Sequence, residues 1–266
     1  MKILLVGGGN MGKTYADSFI AHHSVKKDDL YILEHYEEKA NYFKSVGFHH
    51  VFFEAGNYIS EMDLIIFAVK PQDSQEAFQA VAPFVASSQV VMSIMAGVKI
   101  QAIRNALPTD KIVRVMPNLP AQVRMGMSGF TSSNEVSKEE LFSIHNLLNT
   151  TGKSLYFDDE SKLDAVTAIS GSGPAYVYYF MDAMMNKAAE MGFTKEQAEL
   201  LVEQTFLGAV HLQNIRSLSC QEWIQKVASK GGTTEAAIRR FADVELDKHI
   251  SEGLEAAHQR AIELGN

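Results

Sequence analysis

The chain has 266 residues, 46% apolar and 21% charged, enough to bury one or two cores. Its formal charge of −8, with no run of Lys or Arg beyond a pair, excludes a nucleic-acid partner, because phosphate neutralisation needs a basic face. One cysteine, Cys220, excludes an internal disulfide and a multi-cysteine metal site, and no apolar run approaches the ~20 residues that cross a bilayer.

Residues 2–6 (KILLV) read as a buried parallel strand, followed by GGGNMG and a helical pattern to about residue 22. A second strand, 30–33, ends at Glu34, and further apolar runs follow at 50–53, 64–69, 89–94 and 112–115, with helical patterns between most of them. Strands alternating with helices predict a parallel sheet wound on both faces, with ligands at the carboxyl ends of the strands. Residues 131–151 read as a connector and helix, and 154–157 as a last short strand.

After the polar stretch 158–162 no strand pattern returns, and helices are expected at 161–168, 174–191, 194–214, 220–228, 233–242 and 244–264. Pro174 suits a first helical turn, Gly192 a C-terminal stop and Thr194 an N-cap. The expected fold is therefore an α/β Rossmann-type N-terminal domain (1–160) with a mostly parallel sheet, followed by an all-α domain (161–266). The helix after Pro174 carries Tyr176, Val177, Phe180, Met181, Met184 and Met185, an apolar surface that predicts a homodimer. The chain begins without the basic and apolar regions of a secretory signal, which gives a cytoplasmic expectation, and its scattered histidines show no zinc-ligand spacing, so no metal is expected.

Two segments carry chemistry. Gly7, Gly9 and Gly12 match G-x-G-x-x-G, with a tight turn, a close approach to a pyrophosphate and helix-on-strand packing as their respective roles. Glu34 lies about 22 residues beyond Gly12, where an acidic residue hydrogen-bonds the adenosine ribose. At the other end, Ser229, Lys230, Gly231, Gly232, Thr233 and Thr234 precede a helical pattern. Alone, a glycine pair before threonine reads either as a capped turn or as a nest of amides that binds a small carboxylate. With a dinucleotide cradle on the same chain, it points to an enzyme.

Three more segments lie where a strand end or helix start can face a cleft: FAVKP at 67–71, MPNLP at 116–120 and SGSGP at 170–174. In this order, with GGGNMG and SKGGTT, they resemble the pyrroline-5-carboxylate reductase family over nearly the whole chain. The pair SGSGPAYVYY and VASKGGTTEAAI is its most specific part. The resemblance implies reduction of 1-pyrroline-5-carboxylate to L-proline by NADH or NADPH. It also implies a helical domain interlocked with that of a partner, in dimers that many members assemble further.

By position, it assigns Gly7, Gly9, Asn10, Met11 and Gly12 to the pyrophosphate, and Asn57 is a further cofactor-binding candidate beside Glu34. Ala68, Val69, Lys70, Pro71, Met95 and Ala96 line the groove toward the nicotinamide, and Asn118 lies near that ring. Amides around Gly231, Gly232 and Thr233 hold the substrate carboxylate, the Thr234 hydroxyl bonds the ring nitrogen, and Val227 and Ser229 shape the loop. Thr234 and Ser229 are thus the candidate catalytic residues. Lys70 also reads as a solvated strand-end charge, Asn118 as a turn former between prolines, and 170–173 as a flexible joint.

Lys230 stands where many members carry proline, and Ser217 lies near the place where some carry an acid, so no catalytic acid is assigned there. Glu34 is the departure with most consequence, since a carboxylate there repels a 2′-phosphate and accepts from free ribose hydroxyls, which predicts that NADH serves at least as well as NADPH. His35 and Lys39 are the nearby side chains that would counter it. A 3-hydroxyacid dehydrogenase, the nearest alternative in architecture, needs a general base, and Val177 occupies the place where that family carries its lysine. A non-catalytic dinucleotide sensor is the alternative from another class, and it would not need SKGGTT intact.

Overall fold

A computed structural model describes residues 1–265. They form two compact units, one of Met1–Gly173 with the segment from Ala257, the other of Pro174–Ala256.

In the first unit, β1 (Ile3–Val6), α1 (Asn10–Ala21), β2 (Leu30–Leu33), α2 (Glu37–Ser45) and β3 (Val51–Phe52) are followed by β4 (Leu64–Phe67) and α3 (Ser74–Val81). Then come β5 (Val90–Ser93), α4 (Ile100–Ala106) and β6 (Ile112–Met116). The strand order is β3-β2-β1-β4-β5-β6, all parallel, continuing through two strands introduced below. Order reverses between β1 and β4, which opens a crevice at the carboxyl ends of these two strands.

The strands are apolar on both faces because helices cover both. In β1, Ile3 and Leu5 join one core with Tyr15, Ala16 and Phe19 of α1 and Phe43 of α2. Leu4 and Val6 join the other, with Phe78 and Val81 of α3 and Ile103 of α4. This double burial turns KILLV into a continuous apolar run rather than an alternating one.

The sheet extends further than expected. β7 (Gly126–Ser132) pairs antiparallel with β6, and β8 (Gly152–Tyr156) pairs parallel with β7, giving eight strands. The expectation of a connector and helix over 131–151 is therefore corrected: Thr131 lies in β7, and the helix is α5 (Lys138–Asn149), opened by a capping box between Ser137 and Glu140. The sequence of β7, GMSGFTS, hides its strand because glycine and serine supply little β propensity. Glycine is needed at its start, since a Cβ on Gly126 would lie 2.8 Å from the Ala121 Cα.

Next, α6 (Lys162–Val166) passes into a π-helical turn, Thr167–Gly171. Arg114, 2% exposed in the middle of β6, binds Asp164 of α6 at 2.9 Å and Glu160 at 3.1 Å, which fixes this segment against the sheet.

The remaining helices are α7 (Gly173–Glu190), α8 (Lys195–Ile215), α9 (Cys220–Val227), α10 (Thr233–Asp243) and α11 (Leu246–Leu264). Pro174 lies in the first turn of α7, Gly192 beyond its end has φ +97°, and Thr194 opens α8 with a capping box to Gln197. Despite its apolar composition, α7 has no buried residue, and Tyr179 is 76% exposed. Among the described residues, no helix is long and apolar enough to cross a membrane.

Candidate functional site

The glycine loop at the end of β1 has the geometry of a dinucleotide cradle. Gly7 has φ +100° and donates its N–H to the Leu33 carbonyl at 2.9 Å, turning the chain out of the sheet. Only glycine fits, because a Cβ there would lie 2.8 Å from Val69 Cγ1 and 3.0 Å from the Ala68 carbonyl. A Cβ on Gly12 would collide with the Gly7 carbonyl, so its absence lets α1 close against the strand. Gly9 caps α1 and faces open space, with nothing within 4 Å of a Cβ. The first-turn amides of α1, around Asn10 and Met11, have no intrahelical partner and are the donors a helix N-terminus offers to an anion. The residues present therefore fit a nicotinamide dinucleotide.

Glu34, just past β2, is 3% exposed. Its Oε2 accepts the Gly8 N–H at 2.7 Å and its Oε1 the Tyr36 N–H at 2.8 Å, so it also braces the glycine loop, a role not read from the sequence. Asn57 opens a 3-10 turn, Asn57–Glu61, and its carbonyl accepts the Ser60 hydroxyl at 2.8 Å. Burial pushes the phenol of neighbouring Tyr58 up to about 12, so it stays protonated and donates to the Glu54 carbonyl at 3.0 Å.

Ala68 and Val69 continue from β4, with the Ala68 N–H bonded to the Val6 carbonyl at 2.8 Å, beside the glycine loop. Lys70 caps the turn Pro71–Asp73 and is exposed, as is Pro71. Met95 and Ala96 follow β5; Met95 is buried and Ala96 half-buried. The end of β4 thus meets the glycine loop directly, through the contacts at Gly7.

Asn118 is more than a turn former. Its Nδ2 donates to the Ser170 carbonyl and hydroxyl, both at 3.2 Å, while its Oδ1 accepts the Met127 N–H at 2.8 Å. One amide side chain therefore joins the end of β6, the start of β7 and the π-helical turn, and holds Ser170, the first residue of the stretch 170–173 that reads as a flexible joint. The π turn itself is a local irregularity of the kind found at functional sites. The signal missed in the sequence is the pairing of MPNLP with SGSGP.

In the second unit, α9 ends at Val227, which is 65% exposed, and α10 begins at Thr233. Between them Gly231 has φ +71°, and the Gly232 N–H bonds the Ser229 carbonyl at 2.9 Å. A Cβ on Gly232 would lie 2.5 Å from Ser229 Oγ, so the pair is compact. Gly232 caps α10, and Thr233 and Thr234 form its first turn, with Ser229, Lys230, Gly231 and Thr233 exposed and Thr234 half-buried. The Gly231 N–H donates to Glu235 Oε2 at 2.6 Å, a contact with no signal in the sequence reading.

Comparison with known proteins bears on the fold and the family. A profile described as NADP oxidoreductase, coenzyme F420-dependent, matches residues 2–97, and one described as pyrroline-5-carboxylate reductase dimerisation matches residues 160–264. A pyrroline-5-carboxylate reductase of Pseudomonas aeruginosa is 37% identical over 207 residues, covering 77% of this chain and 76% of that protein. The solved pyrroline-5-carboxylate reductase of Coxiella burnetii is 30% identical with a TM-score of 0.92, covering 100% of this chain and 98% of the other. The pyrroline carboxylate reductase of Plasmodium falciparum, solved with NADP bound, is 25% identical with a TM-score of 0.89 at the same coverage. By this identity and coverage, the chain belongs to the pyrroline-5-carboxylate reductase family.

Proposed function

We propose a division of labour among these residues for the family's reaction, the NAD(P)H-dependent reduction of 1-pyrroline-5-carboxylate to L-proline by a homodimer acting in the cytoplasm. We assign dinucleotide binding to residues 1–160 and dimerisation and substrate binding to 161–266, while the compact unit around the sheet runs on to Gly173 and takes in the segment from Ala257. The observation that carries this reading is the fit at the glycine loop: Gly7, Gly9 and Gly12 provide respectively a positive φ, an open approach and a close helix.

The bound nicotinamide supplies the hydride. Gly7, Gly9, Asn10, Met11 and Gly12 hold the pyrophosphate through backbone amides and the N-terminal dipole of α1. Glu34 and Asn57 lie toward the adenosine, and Ala68, Val69, Lys70, Pro71, Met95, Ala96 and Asn118 shape the groove for the ring. In the helical half, the amides of Gly231, Gly232 and Thr233 take the substrate carboxylate, Val227 and Ser229 shape that loop, and the Thr234 hydroxyl accepts from the iminium N–H.

The ring imine is basic enough to arrive protonated or to take its proton from water. Adding hydride to its carbon then yields the neutral secondary amine, and no strong protein acid is required. The chain's contribution is orientation and binding, with a charge-assisted bond to the carboxylate contributing about 1.5 to 3 kcal/mol.

The test is oxidation of reduced nicotinamide on mixing the protein with 1-pyrroline-5-carboxylate, followed by its absorbance. Turnover is expected. Absence of turnover with both NADH and NADPH would favour a dinucleotide sensor instead.

A further inference from the structure

Glu235, on the first turn of α10, reaches back to the loop that precedes its own helix. Its Oε2 accepts the Gly231 N–H at 2.6 Å, and its Oε1 lies 3.7 Å from a guanidinium nitrogen of Arg239, one turn further on. Resting on the assignment of this loop to the substrate carboxylate, we propose that Glu235 is a built-in competitor. Its carboxylate occupies the Gly231 amide in the empty enzyme and must move away before the ring acid binds.

The chemistry of the donor sets up the competition. A backbone amide has one hydrogen, and that of Gly231 is taken by the Glu235 carboxylate. A substrate carboxylate at the same amide makes the same charge-assisted bond, so the two acids exclude one another there. Glu235 is also free to leave. Its side chain is 40% exposed, and Arg239, 72% exposed, offers a cationic partner on the same helix face.

The exchange has a consequence for selectivity. A simple carboxylate trades one carboxylate–amide bond for another and gains little. A ring acid that also reaches Thr234 gains a contact Glu235 does not replace, and so displaces it. Glu235 is thus a specificity-determining residue that favours a carboxylate bearing a ring nitrogen over small anions.

The experiment compares the wild type with Glu235→Ala and Glu235→Gln. It measures KM for 1-pyrroline-5-carboxylate, the dissociation constant of L-proline by calorimetry with oxidised cofactor present, and inhibition by acetate. For Glu235→Ala, both constants are expected to fall about fivefold, as for a residue seated about four-fifths of the time, and acetate becomes an inhibitor. Glu235→Gln is expected to fall between, because its carbonyl still accepts from Gly231 but carries no charge.

Unchanged or raised constants in Glu235→Ala would overturn the proposal, since Glu235 would then be inert or a brace for the loop. Equal shifts in both variants would also overturn it, because net charge alone would explain them. A wild type that neither turns over the imine nor binds L-proline would remove the loop assignment itself, and that result is read before any variant is compared.

Discussion

Glu34 Oε2 and the Gly8 amide form a buried, charge-assisted bond of 2.7 Å that joins the end of β2 to the middle of the glycine loop. The second carboxylate oxygen holds the Tyr36 amide at 2.8 Å, so one side chain ties the glycine loop after β1 to the chain leaving β2. Replacing Glu34 by Gln leaves one oxygen for two donors and turns an NH2 group toward one of the two amides. A loss of about 1.5 to 3 kcal/mol in stability is expected, together with a raised cofactor KM. Thermal melting and cofactor titration of the same variant check both, and an unchanged pair of values would remove the brace.

Cofactor choice is expected to follow from the same carboxylate. Each oxygen keeps a lone pair after accepting one amide, so Glu34 is able to take a ribose hydroxyl while its charge opposes a 2′-phosphate. The kcat/KM with NADH is therefore expected to equal or exceed that with NADPH. Steady-state kinetics with the two cofactors decide it; a strong preference for NADPH would mean that His35 and Lys39 outweigh Glu34.

Much of this was legible because burial writes itself into composition. Strands covered on both faces, such as Leu64–Phe67, are continuous apolar runs, and their bounding turns mark the strand ends where ligands bind. β7 was hidden for the opposite reason: its place is set by pairing with β6 and by the close approach at Gly126, neither of which selects β-branched residues. Arg114 is visible as a charge inside an apolar strand, yet its partners Glu160 and Asp164 lie 46 and 50 residues away and need the fold to be found. The SKGGTT loop could be picked out by its glycines, whereas the contact from Glu235 could not, because a glutamate in a first helical turn is expected on dipole grounds alone.

Thr234 is the residue through which the helical half would act on the reacting atoms, and its role separates from its fold. It lies half-buried in the first turn of α10, where valine nearly matches its shape and has similar helix propensity. Thr234→Val is therefore expected to change stability by no more than about 0.5 kcal/mol. Turnover should suffer far more, because the variant loses the bond proposed above between the Thr234 hydroxyl and the ring nitrogen. A fall of about tenfold to hundredfold in kcat/KM corresponds to about 1.4 to 3 kcal/mol. Melting curves and steady-state kinetics on one preparation give the two quantities. Unchanged kinetics would take Thr234 out of the site, and parallel losses in both would make it a structural residue of α10.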